Sequence, residues 1–337
     1  MKVMEMRDGW GVEHITPGTR PDRSPGPGQV LIKMQAASVN YRDLVMAQRG
    51  YGRHSGELPL IPLSDGAGTV AETGAGVTRV KVGDLVCPAF AQLWVSGVLR
   101  EDYRPGMLGG PLDGVMQESM LLPEAGVVKA PAHLSAIEAA TLPCAALTAW
   151  SAVIGASVKP GDVVVTQGTG GVSLFALMFA KAMGARTIVT SSSDEKLARA
   201  MALGADIAIN YRTHPEWSRA VRQALGGRGA DLVVELGGAQ SLDQSLRAIR
   251  TSGTLALIGV LSGGLAELNL GRVVTQNVRL QGVTLGSREM FEDMVRAIET
   301  HRLKPPIDDK VYRFDEVADA IRAIPARKHF GKICVQF

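Results

Sequence analysis

The chain has 337 residues, enough for two domains with separate cores, and its 46% hydrophobic and 20% charged content excludes a disordered or fibrous protein. A net charge of +3 leaves no basic stripe for nucleic acid, and no apolar run approaches the roughly 20 residues that span a bilayer. Three scattered cysteines, Cys87, Cys144 and Cys334, argue against a disulfide framework; with no apolar secretory segment over Met1–Gly18 they point to a cytoplasmic protein.

Residues 1 to about 125 carry short β-like runs such as Val30–Met34, Gly68–Glu72 and Asp84–Cys87, punctuated by turn signals at Pro25–Gly28 and Val82–Asp84. They predict a compact, mostly β domain. The pattern changes near residue 135, where Ser135 and Glu138 form a capping-box signature. Helices are expected over 136–142 and 146–155. Strands then alternate with helices: strand 163–166, helix 171–183, strand 186–190, helix 194–203, strand 207–209, helix 215–225, strand 232–235, helix 240–249 and strand 255–258. Such alternation predicts an α/β fold with a parallel, doubly wound sheet. Beyond residue 285 the β-rich part returns, with helices near 289–300 and 315–323 and a closing strand at 332–335. The expected division is 1–135 with 285–337 as one discontinuous domain, and 136–284 as the other.

The sharpest motif is Gly168-Thr169-Gly170-Gly171-Val172-Ser173, which follows a predicted strand and opens a predicted helix. A dinucleotide-binding turn needs this context: Gly168 permits the tight turn, Gly170 lets the backbone approach a pyrophosphate, and the helix start favours its charge. Ser173, where a third glycine is usual, is small enough for helix and strand to pack. About 20 residues on, an NAD site places a carboxylate for the ribose hydroxyl. Here stand Ser191, Ser192 and Ser193, with Lys196 beyond. Hydroxyls and an ammonium suit a 2′-phosphate, so NADP(H) is favoured over NAD(H); the competing account is that the serines only cap helix 194–203. Tyr211 is placed to pack on the adenine.

The whole chain resembles the medium-chain dehydrogenase/reductase superfamily of alcohol dehydrogenases and quinone oxidoreductases. The resemblance rests on the Gly-rich turn and on Ala36–Asp43, Pro62–Val70, Val80–Val86 and Leu142–Trp150, together with Gly184–Arg186 and Leu203–Asp206. It implies a GroES-like, mostly β substrate domain beside a Rossmann domain. Zinc members hold their catalytic ion with Cys, His and Cys. Those positions read Asn40, Ser64 and Cys144 here, and the stretch 90–113 lacks the four cysteines of the structural zinc lobe. No metal is expected, and Cys144 reads as a small buried hydrophobe.

The same resemblance implies that Asn40 and Tyr41 face substrate with Asp43 behind them, and that Arg42 stands where the proton relay begins in zinc enzymes. Asp43 could equally be a structural partner of an arginine or a backbone N–H. The resemblance assigns cofactor contacts to Thr148, Gly237, Gly238, Ile258, Gly259 and Val260, and to Leu285, Gly286, Ser287 and Arg288 where the chain returns to the first domain. Tyr51 and His54 lie in a Gly-rich loop and could line the pocket. The implied activity is zinc-independent reduction of conjugated C=C bonds in small enones or quinones. Metal-free alcohol–carbonyl oxidoreduction is the alternative, and a cofactor-binding structural protein a third. A homodimer is expected, paired through an edge formed by Thr254–Val260 and Leu265–Leu270.

Overall fold

The computed structural model describes residues 1–337, which separate into two compact units: Met1–Leu147 with Gly286–Phe337, and Thr148–Leu285. No helix is long and apolar enough to cross a membrane.

The first unit begins with a hairpin of β1 (Lys2–Met6) and β2 (Ile15–Thr19), then β3 (Gln29–Ser38), α1 (Tyr41–Ala47), β4 (Asp65–Thr73), β5 (Leu85–Pro88), β6 (Ser119–Pro123), β7 (Val127–Lys129) and α2 (Ala136–Ala139). The strand β3 buries alternate residues, Val30, Ile32 and Met34, as a strand covered on one face should. Ser135 caps α2 in the expected box, its Oγ accepting from Glu138 N. A π-helical turn, Leu142–Ala146, and α3 (Leu147–Gly155) follow. Residues 136–147 were expected in the second domain. They belong to the first unit because buried polar groups tie them there: Ser38 Oγ donates to Ala140 O at 2.9 Å and Cys87 Sγ to Ala139 O.

The second unit alternates β8 (Val163–Gln167), α4 (Gly171–Ala182), β9 (Arg186–Ser191), α5 (Asp194–Ala202), β10 (Ile207–Asn210), α6 (Trp217–Ala224), β11 (Ala230–Glu235), α7 (Leu242–Ala248), β12 (Ile249–Leu257), α8 (Leu270–Thr275) and β13 (Arg279–Gly282). All strand pairs are parallel, in the order β10-β9-β8-β11-β12-β13. Helices must cover both faces of such a sheet, and β11 is accordingly buried at every position. Helix α4 is buried from Ser173 to Ala180, and Phe175 and Phe179 stack at 6.1 Å between centroids. Each such ring contributes roughly 1.5–3 kcal/mol by leaving water.

Two elements here lie outside the sequence-based series, α8 and β13. Arg279-Leu280-Gln281-Gly282 has neither β-branched residues nor alternation, so nothing marks it as a strand. Its presence corrects the expected dimer edge: β13 pairs along Thr254–Leu257, so β12 is an interior strand. Residues 265–269 form no strand, and Leu265, Leu270 and Val274 are exposed.

The chain re-enters the first unit with α9 (Arg288–His301), β14 (Ile307–Arg313), α10 (Val317–Arg322) and β15 (Lys332–Gln336). Its main sheet runs β14-β15-β3-β4-β5-β7, with β6 also on β3. The last strand thus lands beside β3, and β3 lies between it and β4.

Candidate active site

In the second unit, parallel pairing puts the carboxyl ends of β8, β9, β11 and β12 on one side, and the strand order reverses between β8 and β11: β8 leads outward to β9 and β10, and the chain then crosses back to β11 on the other side of β8. The Gly-rich turn lies at this switch. Gly168 has φ +78°, its N–H donates to Thr190 O at 2.7 Å, and Gly170 caps α4. A Cβ added at Gly168 or Gly170 would meet no atom within 4 Å, so both face open space in front of the helix N-terminus. Ser173 Oγ donates back to Gln167 O, which turns the missing third glycine into a tie between helix and strand. Thr169 is buried, Gly171 and Val172 half-buried. These groups fit a pyrophosphate.

Around the turn, Ser191 ends β9, buried, and its Oγ accepts from Ser193 N at 3.3 Å. Ser193 is the helix cap, accepting from Lys196 N. Ser192 is half-buried and not the cap; Tyr211 follows β10, exposed, with its N–H on Ser191 O at 3.0 Å. Asp194 Oδ1 accepts from Asn210 Nδ2 at 2.7 Å, a partner beyond the helix dipole alone.

On the other side, Gly237 and Gly259 sit in the loops after β11 and β12. A Cβ on Gly259 would lie 2.4 Å from Leu236 O, so only glycine fits there. Ile258 is half-buried and Val260 exposed. These loops are braced by a buried frame that sequence reading missed. Gln167 Oε1 accepts from Leu236 N and Gly237 N at 3.1 Å each. Glu235 accepts from Gln167 Nε2 at 2.7 Å, Gly238 N at 2.9 Å and the hydroxyls of Ser241 and Ser245. Thr148 and Leu285 are buried. In the first unit Gly286 is buried, and Ser287 caps α9 by accepting from Met290 N at 3.2 Å.

The first unit holds the other group of candidates. Strand order alone assembles it: Cys334 of β15 pairs with Ser38 of β3, and Ser38 pairs with Asp65 of β4. Lys332, two residues before Cys334, therefore lies opposite Asn40, two beyond Ser38. The Lys332 ammonium donates to Val39 O at 2.8 Å and Asn40 Oδ1 at 2.5 Å, and lies 3.9 Å from Asp65 Oδ2. Asp65 accepts from Ser64 Oγ at 2.7 Å and from Cys144 N at 3.0 Å. Burial pushes the Asp65 carboxyl up, while Lys332, the Asn40 amide, Ser64 and Cys144 N–H favour its ionised form. Asn40 Nδ2 is buried and makes no hydrogen bond. The Asn40 amide nevertheless stands against the Asp65 carboxyl, close enough to favour its ionised form. Leu63, next to Ser64, keeps a left-handed φ of +65° and is buried.

Asp43 lies at the start of α1, next to this group. Its Oδ2 accepts from Asn40 N at 2.7 Å, and Arg42 Nη1 is 3.5 Å from its Oδ1. It holds the start of α1, the structural alternative for this residue. Burial pushes its carboxyl up to about 6, against Arg42 and the Asn40 N–H. Tyr41 stands on α1 with 42% exposure. Tyr51 is half-exposed, yet burial pushes its hydroxyl up, with Arg42 opposing and Cys144, Asp43 and Tyr41 reinforcing.

Lys332, like the Gln167–Glu235 frame, has no signal in the sequence. A lone lysine opening an apolar strand is also how an exposed strand end looks, and only strand order reveals its neighbours. The donor set around it does not fit zinc. Asn40 and Ser64 are neutral, and the Cys144 thiol is pushed up by burial and by Asp65, so it keeps its proton. An ammonium stands among them. No group of three or more His, Cys, Asp or Glu is arranged to hold a metal ion.

Residues 26–132 match the alcohol dehydrogenase GroES-like domain, and residues 171–300 match the zinc-binding dehydrogenase family. The chain is 40% identical over 317 residues to the zinc-type alcohol dehydrogenase-like protein C1773.06c of Schizosaccharomyces pombe, covering 92% of this chain and 91% of that protein. A putative alcohol dehydrogenase from Sinorhizobium meliloti 1021 superposes with TM-score 0.92 at 40% identity, over 100% of this chain and 98% of that one. An NAD-dependent alcohol dehydrogenase superposes with TM-score 0.90 at 34% identity, over 100% of both chains. This chain belongs to the medium-chain dehydrogenase/reductase superfamily of NAD(P)-dependent oxidoreductases.

Proposed function

We propose that this protein reduces the conjugated C=C bond of small enones or quinones with NADPH and without zinc. One observation carries the reading: Asn40 Nδ2 is a buried donor with no partner, at the position where zinc relatives place a metal ligand. A buried unmade hydrogen bond costs roughly 1–3 kcal/mol, so its persistence points to a ligand oxygen that completes it. When bound, a reduced nicotinamide supplies a hydride. Asn40 Nδ2 then donates to the substrate oxygen as negative charge develops there, and the enolate takes its proton from water. A conjugated acceptor needs no stronger electrophile, because the charge is delocalised. Asp43 fixes the turn that presents Asn40, and Tyr41 and Tyr51 shape the approach.

The second unit would hold the dinucleotide: the turn Gly168–Val172 on the pyrophosphate, Ser191, Ser192 and Lys196 on the 2′-phosphate, and Tyr211 on the adenine. Thr148, Gly237, Ile258, Gly259, Val260 and Leu285 would line the nicotinamide half. We place the protein in the cytoplasm as a homodimer, a state supported by the exposed Leu265, Leu270 and Val274. Metal-free alcohol–carbonyl oxidoreduction is a second reading; its alcohol–carbonyl chemistry is favoured by the likeness to alcohol dehydrogenases and alcohol dehydrogenase-like proteins.

The test is turnover of p-benzoquinone, 2-cyclohexen-1-one, cyclohexanone and small primary alcohols with each cofactor. Faster enone or quinone reduction with NADPH, lost in Asn40→Ala, supports the proposal. Turnover of alcohols and cyclohexanone only would transfer it to the second reading.

A further inference from the structure

We propose that Lys332 is a positioning residue for this reaction, holding the Asn40 amide so that Nδ2 is offered to the substrate oxygen; this rests on the reading of Asn40 above. An ammonium has donors only, so whichever amide atom faces it must be the oxygen. Lys332 Nζ is fixed by Val39 O at 2.8 Å and reaches Asn40 Oδ1 at 2.5 Å from a strand paired with β14 on one side and β3 on the other. Turning the amide over would set Nδ2 against the ammonium, donor against donor. Nδ2 is thereby held at the opposite end of the amide, buried and without a hydrogen bond of good geometry.

Without the ammonium, nothing fixes which amide atom occupies that place, and Nδ2 is free to turn away from the substrate oxygen. The contact does more than aim the group. An amide that accepts a charged hydrogen bond at oxygen donates more strongly at nitrogen, because each bond polarises the next. Asp65 lies 3.9 Å from the ammonium and offsets its charge, which lets a lysine with 3% side-chain exposure remain in the fold.

Lys332→Met alone leaves Asp65 as a buried unpaired carboxylate and can unfold the chain. The paired variant Lys332→Met/Asp65→Asn removes both charges and keeps the amide acceptor for Cys144 N–H and Ser64. It is compared with Asn40→Ala and the triple variant, with NADPH and the best acceptor among p-benzoquinone, 2-cyclohexen-1-one and cyclohexanone. Melting temperature and NADPH fluorescence titration report the fold and the cofactor site.

Removing a donor to a developing oxyanion costs about 10²–10³ in kcat, and a mis-set donor should cost roughly tenfold or more. The paired variant is expected to lose that factor in kcat with KM and NADPH affinity within about threefold. In the Asn40→Ala background the same change is expected to cost under about twofold, since no amide remains to position. Equal losses in both backgrounds would mean general structural damage and overturn the proposal. An unchanged kcat in the paired variant, with Asn40→Ala still impaired, overturns it while leaving Asn40 in its role. An unimpaired Asn40→Ala, or no turnover of any acceptor by the unaltered protein, overturns the functional reading and this one with it.

Discussion

Arg42 reaches across the first unit to Leu108, its Nη1 donating to the carbonyl oxygen at 3.2 Å. Its Nη2 takes Gly110 O at 3.3 Å, and the guanidinium lies 4.5 Å from the Phe90 ring centroid. The irregular stretch 89–114 is thus pinned to the helix that begins beside Asn40. Arg42→Ala is expected to destabilise the protein by roughly 2–4 kcal/mol, since a charged donor to a buried carbonyl is worth about 1.5–3 kcal/mol and the ring contact adds to it. Arg42→Lys should fall between, because one ammonium cannot match a planar fork. Urea denaturation checks this; an alanine variant within about 0.5 kcal/mol of the parent would contradict it.

Burial raises the Asp43 carboxyl from its ordinary 3.8 to about 6, partly offset by Arg42 and the Asn40 N–H. Below the unfolded value both states hold the proton; between 3.8 and about 6 only the folded state does. The folded state therefore loses stability as pH rises through that window, by on the order of 3 kcal/mol, with no further loss above it. Asp43→Asn, which still accepts from Asn40 N, should remove this component. Urea midpoints measured across the window should fall less with rising pH in the variant. Parallel pH profiles for both proteins would show that Asp43 does not titrate there.

A protonated thiol, a neutral amide, a hydroxyl and an ammonium make no zinc site. Purified protein is expected to carry no stoichiometric zinc by elemental analysis, and prolonged chelation should leave turnover unchanged. Loss of activity on chelation with recovery on added zinc would reverse this reading.

The proposed preference for NADPH would be set at the ends of β9 and β10. Two charge-assisted contacts to a 2′-phosphate would favour NADPH over NADH by about a hundredfold or more. Ser191→Asp should invert the ratio of dissociation constants, by repelling the phosphate and accepting from a free ribose hydroxyl. Lys196→Ala should weaken NADPH far more than NADH, and by less at high salt. A ratio near one in the unaltered protein would favour the account in which the serines serve only the helix start.

Leu265, Leu270 and Val274 are exposed to 95%, 67% and 76% near the outer strand β13. Apolar groups in such a cluster suit a two-fold contact between copies. Sedimentation should give about twice the 35.7 kDa of one chain, and Leu265→Glu/Val274→Glu should return the monomer. A monomer in the unaltered protein at micromolar concentration would end the dimer proposal.

The sequence by itself determined the elements whose signals are local. The Gly168 turn, the Ser135 box, the Ser193 cap and the alternation from β8 to β12 each depend on residues a few positions apart, and each formed where expected. The absence of two of three zinc-ligand types was likewise written in Asn40 and Ser64. Only the tertiary structure decided the partners of Asn40. Lys332 lies 292 positions away and arrives through the pairing of the last strand with β3, a relationship that no short window contains. The same holds for β13, whose residues become a strand because β12 offers an unpaired edge, and for residues 136–147, which join the first unit through Ser38, Cys87 and Asp65. Local propensity and spacing are carried along the chain, whereas a buried ammonium acquires its role from the strands packed beside it.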